Sequence, residues 1–205
     1  MFLNKTKGKS KMGAKYHRSE NITMSSGNKK LDKSIGIFNL PAGANFTCEQ
    51  TCKGCYAIKA QYLYPQVLPC RIRNFEASKA ENFVSLMVAL IVKAKFKVVR
   101  IHESGDFYSI EYVEKWDNIA KQLPQVKFYA YTKRNFVQFT ANNVNIVNSL
   151  LPDGNINYGD LEYVKVMAKM HNVPVCPVTL KAKNAKCGLT CTLCQHVKSM
   201  LFVIH

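Results

Sequence analysis

Residues 97–131 decide the fold, and they read KVVRIHESGDFYSIEYVEKWDNIAKQLPQVKFYAY. Residues 97–102 predict a strand, and residues 126–131 predict another one. Between them, Ser109 is a suitable helix N-cap, apolar residues recur at helical spacing, and Pro124 ends the pattern. The stretch therefore predicts a strand–helix–strand unit with parallel strands and a right-handed crossover.

Further strands and helices are predicted on both sides of this unit. Strands that alternate with helices favour a mostly parallel sheet. A closed barrel of eight such units takes ~250 residues, so this chain is too short to complete one. The predicted fold class is α/β, an open partial β/α barrel of about six mostly parallel strands with a C-terminal cysteine-rich segment. The other predicted elements are strands over residues 35–40, 145–151, 173–176 and 200–204, and helices over residues 71–94, 137–142 and 161–171.

The composition predicts one soluble domain. The chain has 205 residues, of which 47% are hydrophobic, and can bury one substantial core. Its longest apolar run, residues 83–92, is shorter than the ~20 residues that a membrane span needs. Because no secretory signal is recognised, the eight cysteines are expected to be reduced. We therefore expect a cytoplasmic protein with no membrane partner.

Residues 1–34 are strongly basic, with only Glu20 and Asp32 as acidic residues. Glycine, serine and asparagine interrupt any regular pattern, so we predict a flexible N-terminal arm. Such an arm either neutralises nucleic-acid phosphates or is a solvated basic tail, and the sequence leaves both open. The predicted β/α domain then spans residues 35–175, and residues 176–205 form a segment packed on it.

Three cysteines lie close together in residues 46–56, FTCEQTCKGCY, after the first predicted strand. The spacing of Cys48, Cys52 and Cys55, C-x3-C-x2-C, suits a 4Fe–4S cluster held by thiolates. Three thiolates leave the fourth iron open to a ligand, and an open position distinguishes a reactive metal site from a structural one. Tyr56 places an aromatic ring beside this loop. A structural zinc site is the alternative.

A second group of cysteines lies near the C-terminus. Cys187, Cys191 and Cys194 repeat the C-x3-C-x2-C spacing, and Cys176 completes a set of four. Four thiolates close a metal site, which suits an auxiliary 4Fe–4S cluster or structural zinc. The repeated spacing favours iron in both places. Cys70 belongs to neither group.

The first cysteine loop resembles the signature loop of the radical S-adenosylmethionine (SAM) enzymes, C-x3-C-x2-C followed by an aromatic residue. That resemblance implies a glycine-rich acidic loop after the second strand, which holds the methionine ammonium of SAM. Ser104, Gly105 and Asp106 stand there, and a carboxylate pairs well with an ammonium group. Ordinary capping of the next helix by Asp106 is the alternative. Lys133 and its neighbour Arg134 would bind the SAM carboxylate or an anionic substrate.

Longer stretches resemble a narrower family, the phage gene product 88 domain proteins. The resemblance covers roughly residues 27–205. It implies a viral or mobile-element origin, and so the cytoplasm of an infected or host cell. It also implies an iron–sulfur site, but no particular substrate. The matching stretches are residues 27–31, 40–43, 48–57, 99–109 and 128–133 and the C-terminal cysteines.

These resemblances predict a small radical SAM-type enzyme with two 4Fe–4S clusters, SAM as its second cofactor and an unknown substrate. A reductant such as ferredoxin or flavodoxin would supply electrons, and nucleic acid would bind through the basic arm. One alternative is a two-cluster electron-transfer protein without SAM. Another is a zinc-stabilised nucleic-acid-binding module. Metal analysis separates zinc from iron, and a SAM-cleavage assay separates the two iron-based functions.

Overall fold

The computed structural model describes residues 15–27, 31–49, 55–148, 161–170, 172–177, 180, 185, 187, 191–198 and 201. The described strands are β1 (Lys15–Ser19), β2 (Ile22–Ser26), β3 (Ile35–Phe38), β4 (Val98–Ile101), β5 (Lys127–Thr132) and β6 (Val144–Asn148). The described helices are α1 (Tyr56–Leu63), α2 (Val67–Lys79), α3 (Phe83–Ala94), α4 (Ile110–Gln122) and α5 (Leu161–Met170), and a 3₁₀ turn spans Leu193–Gln195.

The six strands form one sheet in the order β1-β2-β3-β4-β5-β6. β1 and β2 form an antiparallel hairpin, and β2 pairs with β3 in the antiparallel sense. From β3 to β6 every pairing is parallel. Because β1 and β6 are edges, the sheet is open. The predicted α/β class, with six strands in a mostly parallel open sheet, is confirmed.

Helices α3 and α4 cover one face of this sheet. Right-handed crossovers between neighbouring parallel strands place successive helices on the same face, which explains this one-sided layer. The largest buried side chain of the layer is Trp116 of α4, which packs edge-on against Phe38 of β3. The buried core also contains Phe83, Met87, Leu90 and Ile91 of α3, Val113 and Ile119 of α4, and Val99, Ile101, Phe128 and Ala130 of the strands.

The opposite face, which we call the inner face, is partly covered by the C-terminal cysteine segment. Cys176 and Cys194 are buried there in an apolar cluster. The amide of Asn145 in β6 donates to the carbonyl oxygens of Cys194 and Val197, at 2.9 and 2.8 Å. Two polar side chains near the middle of this face are Asn145 and its register neighbour across Tyr129 of β5, Arg100. Lys127, the partner of Val98, also lies on this face and is exposed. The apolar and aromatic side chains of the inner face are Ile35, Ile37, Val98, Tyr129, Tyr131 and Val147.

The described part of the predicted arm, residues 15–27, is not irregular, because it contains β1 and β2. Ile22 and Met24 are fully buried. Asn74 of α2 fixes the hairpin, since its amide donates to the carbonyl oxygen of Thr23 at 2.9 Å and its Oδ1 accepts from the Thr23 backbone N–H at 2.8 Å. Residues 1–14 and 28–30 of the arm lie outside the described residues.

The single helix predicted over residues 71–94 is wrong, because α2 ends at Lys79 and α3 begins at Phe83. Ala80 has extended backbone angles, φ −65° and ψ 151°. The Lys115 ammonium of α4 donates to the carbonyl oxygens of Ser78, Lys79 and Ala80 at 3.0, 2.9 and 2.9 Å. A cation at a helix C-terminus satisfies its last carbonyl groups, so a side chain distant in sequence stabilises this break.

The helix predicted over residues 137–142 is also wrong, because this segment has no regular secondary structure. The buried Asp117 carboxylate of α4 holds it instead. Its oxygens accept from the Thr140 backbone N–H, the Thr140 hydroxyl and the Ala141 N–H, at 2.9, 2.6 and 2.8 Å. Lys121 completes the site at 2.8 Å from Asp117 Oδ2.

Asp117 is expected to make folding sensitive to acid. Burial alone would raise its pKa, but Lys121 and the Thr140 and Ala141 donors outweigh it and lower the pKa to about 2. A lowered pKa stabilises the fold above pH ~4, and this contribution is lost as the pH falls towards 2. Asp117→Asn should therefore lower the free energy of unfolding by about 2 kcal/mol at pH 7. The variant's stability should also fall less steeply with acid than that of the unchanged protein, as measured by urea unfolding at a series of pH values. The control Glu114→Gln changes an exposed carboxylate of α4. If Asp117→Asn loses stability in acid as steeply as the unchanged protein, the prediction is contradicted.

The C-terminal strands predicted over residues 173–176 and 200–204 are reduced, where described, to one bridge between Val175 and Leu201. Helix α5 matches the helix predicted over residues 161–171 as far as Met170. None of the described helices combines the length and apolar composition that a membrane crossing requires.

Candidate functional site

The loops that follow β3 and β4 are joined by four hydrogen bonds at the carboxyl edge of the sheet. The Leu40 N–H donates to the Ser104 carbonyl at 3.0 Å, and the Ser104 hydroxyl donates to the Leu40 carbonyl at 2.9 Å. Asn39 Oδ1 accepts from the backbone N–H groups of Glu103 and Ser104, at 2.7 and 3.0 Å. Ligands of parallel α/β folds bind at this edge, so these bonds fix the floor of the candidate site.

Asp106 links the loops after β4 and β5. Its Oδ1 accepts from the Phe107 N–H at 2.8 Å and the Thr132 hydroxyl at 2.6 Å, and its Oδ2 accepts from the Lys133 N–H at 3.0 Å. The Asp106 N–H donates to Thr47 Oγ1 at 3.1 Å, which adds the cysteine loop. Burial raises the pKa of Asp106, and the three donated hydrogen bonds oppose that rise. Both carboxylate oxygens are thus engaged within the protein.

Gly105 allows these loops to approach one another closely. Its φ is +82°, in the region that favours glycine. A Cβ at this position would lie 2.7 Å from Leu40 Cβ and 2.8 Å from Thr47 Oγ1. The glycine is therefore required for packing between the loops after β3 and β4.

Arg134 reaches from the end of β5 to the cysteine loop. Its Nη2 donates to the Thr47 carbonyl at 3.2 Å, and its Nη1 lies 3.6 Å from the Glu49 carboxylate. Its Nε is buried and has no hydrogen-bond partner in the described part of the chain. A buried donor without a partner is costly, so this N–H is suited to an anionic ligand at the edge.

The described cysteines of the first loop are Cys48 and Cys55, both half-buried thiols, while Cys52 lies outside the described residues. The Gly43 N–H points at Cys48 Sγ, 3.4 Å away. Hydrogen bonds of this kind to sulfur are among the features that tune iron–sulfur clusters. Cys55 is the N-cap of α1, and its side chain makes no capping hydrogen bond. Tyr56 is 62% exposed, and its hydroxyl donates to the Glu103 carbonyl.

The C-terminal cysteines lie together against the inner face, and none is in a disulfide. Burial, together with the neighbouring Cys194, Cys176 and Cys191 thiols, raises the pKa of Cys187 to about 11. The Tyr131 hydroxyl is hydrogen-bonded to the Cys194 thiol. No three His, Cys, Asp or Glu side chains converge as metal ligands within the described ranges. The four thiols therefore share one region without converging on a point.

Arg100 lies on the inner face beside Glu103 and Tyr131. Its Nε donates to the His102 carbonyl at 3.2 Å, and its guanidinium stacks over the Tyr131 ring at 4.9 Å. Its Nη1 is 3.9 Å from the Glu103 carboxylate, and 15% of its side chain is exposed. Tyr131 thus contacts both Arg100 and the Cys194 thiol.

His102, which follows Arg100 and Ile101, points to the helix-covered face. Its Nε2 is 2.9 Å from the Tyr112 hydroxyl, and its ring packs on Phe107. Burial, assisted by the Arg100 charge, lowers the pKa of His102 to about 3. The imidazole is therefore neutral and takes no part in the edge where the loops meet.

The structure brings the predicted residues Ser104, Gly105, Asp106 and Lys133 to one edge with the Cys48 loop. Each of the first three contacts neighbouring loops of the protein. Sequence reasoning missed four other residues, of which Arg100 carried a clear signal as a lone charge within an apolar strand. Asn39 and Thr47 carried a weaker one, as polar residues near the end of the predicted first strand and beside the first cysteine of the loop. The fourth missed residue is Asn145.

Comparison with known proteins gives one family and no related structure. The family described as Gene product 88 matches residues 3–153. The Gene 88 protein of Mycobacterium phage L5 is 29% identical over 200 residues, covering 76% of this chain and 84% of that protein. The Gene 88 protein of Mycobacterium phage D29 is 28% identical over 215 residues, covering 82% of this chain and 88% of that protein. No solved structure matches the chain.

Proposed function

Because the chain belongs to the gene product 88 family, we propose that it is an iron–sulfur enzyme of the radical SAM type, with the open sheet as a partial β/α barrel around the inner face. One observation carries this proposal. The loop of Cys48 and Cys55 lies at the carboxyl edge of the parallel strands, where Thr47 contacts both Asp106 and Arg134. Reactive sites of parallel β/α folds occupy that edge.

In this proposal Cys48, Cys52 and Cys55 hold a 4Fe–4S cluster. When bound, that cluster and SAM supply reductive cleavage of SAM, which is chemistry that the protein itself cannot perform. The Gly43 N–H stabilises the Cys48 thiolate, and Arg134 offers its buried Nε–H to an anionic group such as the SAM carboxylate. Asp106 holds the loops in place, and Tyr56 lies beside the cluster.

Cys176, Cys187, Cys191 and Cys194 are proposed to hold an auxiliary 4Fe–4S cluster. The four thiols already lie close enough for Cys194, Cys176 and Cys191 to raise the pKa of Cys187. The Tyr131 hydroxyl would donate to the Cys194 thiolate, and Asn145 fixes the turn that carries Cys194. Ferredoxin or flavodoxin is the proposed class of reductant, and nucleic acid remains the proposed partner of the basic residues within residues 1–34.

The proposal is tested by electron paramagnetic resonance on protein prepared without oxygen and reduced with dithionite. SAM should change the signal of the first cluster only, because three thiolates leave one iron open whereas four close theirs. 5′-Deoxyadenosine should form at the same time. If SAM leaves every signal unchanged and no 5′-deoxyadenosine forms, the protein is not a radical SAM enzyme.

A two-cluster redox protein without SAM is the second candidate, and Asp106 favours it. The acidic residue that the resemblance assigns to the SAM ammonium accepts three hydrogen bonds from the protein itself. A carboxylate engaged in this way has less capacity for a ligand. Two iron–sulfur signals that both ignore SAM would support this candidate.

A further inference from the structure

We propose that Arg100 anchors an anionic oxygen group, a carboxylate or a phosphate, on the inner face. Arg100 lies between Glu103 and the C-terminal thiols. We therefore assign the anionic group to the substrate, and this assignment rests on the proposed function. Binding of the anion itself requires neither SAM nor a cluster. A failure of anion binding can therefore be distinguished from a failure of the proposed function.

The first argument is the number of donors that Arg100 leaves unused. A guanidinium has five N–H donors in a planar fork, which matches carboxylate and phosphate oxygens. In the described part of the chain, Nε donates once, to the His102 carbonyl at 3.2 Å. Nη1 has only the Glu103 carboxylate at 3.9 Å, beyond hydrogen-bond distance, and Nη2 has no hydrogen bond to a described residue.

The second argument is that Arg100 is largely buried and held in one orientation. Only 15% of its side chain is exposed, and a buried charge is normally paired and hydrogen-bonded. The Nε bond to His102 and the Tyr131 ring beneath the guanidinium fix its plane. Little rotamer entropy remains to be lost on binding, so the fork is preorganised for an oxyanion.

The third argument comes from the other side chains of the inner face. On β3 to β6 this face carries apolar and aromatic side chains together with Asn145, Arg100 and, as the partner of Val98, Lys127. The Asn145 side-chain amide already donates hydrogen bonds to the carbonyl oxygens of Cys194 and Val197. Lys127 is exposed at the start of β5, so among the described residues of β3 to β6 Arg100 is the one charged side chain that lies largely buried on this face.

The test measures thermal unfolding of the full-length chain in phosphate, acetate and chloride at matched ionic strength. A ligand that binds only the folded state raises the unfolding midpoint with concentration, which gives a dissociation constant. Phosphate or acetate should stabilise the protein beyond chloride. The stronger of the two identifies the oxyanion, and acetate represents a carboxylate substrate. If neither exceeds chloride, the proposal is wrong.

Three variants make the test specific for Arg100. Arg100→Gln should weaken binding about ten-fold or more, since it removes charge-assisted hydrogen bonds. Glu103→Gln should strengthen binding, because it removes the carboxylate that competes for Arg100. This variant tests the proposal even if Arg100→Gln folds poorly. Arg73→Gln removes an exposed guanidinium of α2 and should behave like the unchanged protein. Equal responses in Arg100→Gln, Glu103→Gln and the unchanged protein would overturn the proposal.

Discussion

The Cys55→Ala variant is expected to lose one cluster and all cleavage of SAM while the fold persists. Two four-iron clusters correspond to about eight irons and eight sulfides per chain, so this variant should retain about four of each. Cys55 is half-buried at the start of α1 and packs in neither apolar cluster, so its loss should leave the core intact. Iron and sulfide analysis and a 5′-deoxyadenosine assay measure the two effects.

Two other cysteine variants serve as controls for that result. Cys70→Ala removes a half-buried thiol outside both groups and should keep about eight irons. Cys194→Ala should lose the auxiliary cluster but keep the response of the first cluster to SAM. Stoichiometric zinc without sulfide in the unchanged protein would contradict the iron-based function. Full iron content in Cys55→Ala would contradict the ligand assignment.

The Asp106→Asn variant is expected to lose about 2–3 kcal/mol of stability. An asparagine has one oxygen where Asp106 has two, so either the Lys133 N–H or the Phe107 and Thr132 donors lose their buried acceptor. Asp106→Ala removes both oxygens and should cost more, roughly 3–5 kcal/mol. Urea unfolding at pH 7 measures both values.

The control for Asp106 is Glu114→Gln, which removes the same charge at an exposed position of α4. Its stability should change by less than about 0.5 kcal/mol. If Asp106→Asn unfolds at the same urea concentration as the unchanged protein but binds SAM more weakly, Asp106 binds the ammonium group rather than holding the loops together.

Local patterns predicted the parallel part of the fold well. The strands expected over residues 97–102 and 126–131 are present as β4 and β5. The Ser109 hydroxyl accepts from the Tyr112 N–H at 3.2 Å, as expected of an N-cap. These features depend on residues within a few positions of one another, where periodicity and capping are informative.

Contacts between distant residues account for what the sequence did not predict. Lys115 ends α2 from 35–37 residues away, and Asp117 holds Thr140 from 23 residues away. Asn74 fixes the β1–β2 hairpin across 51 residues. At the candidate site, the residue types at the loop ends were predictable, but the hydrogen bonds between these residues were not. Asp106 is the clearest example, because its partners Thr132 and Lys133 belong to another strand end.

The strand order has a consequence for how the chain folds during synthesis. Each strand pairs with the strand that precedes it along the chain, so no later strand has to be inserted between two that have already paired. The sheet can therefore grow in the order in which the ribosome releases it, and domains form most readily from the N-terminal side during translation. The segment carrying Cys176 and Cys194 is released after β6, so the inner face stays accessible from solvent until the last stage of assembly. On the proposed function, the auxiliary cluster would be delivered to that face before the segment carrying Cys176 and Cys194 docks.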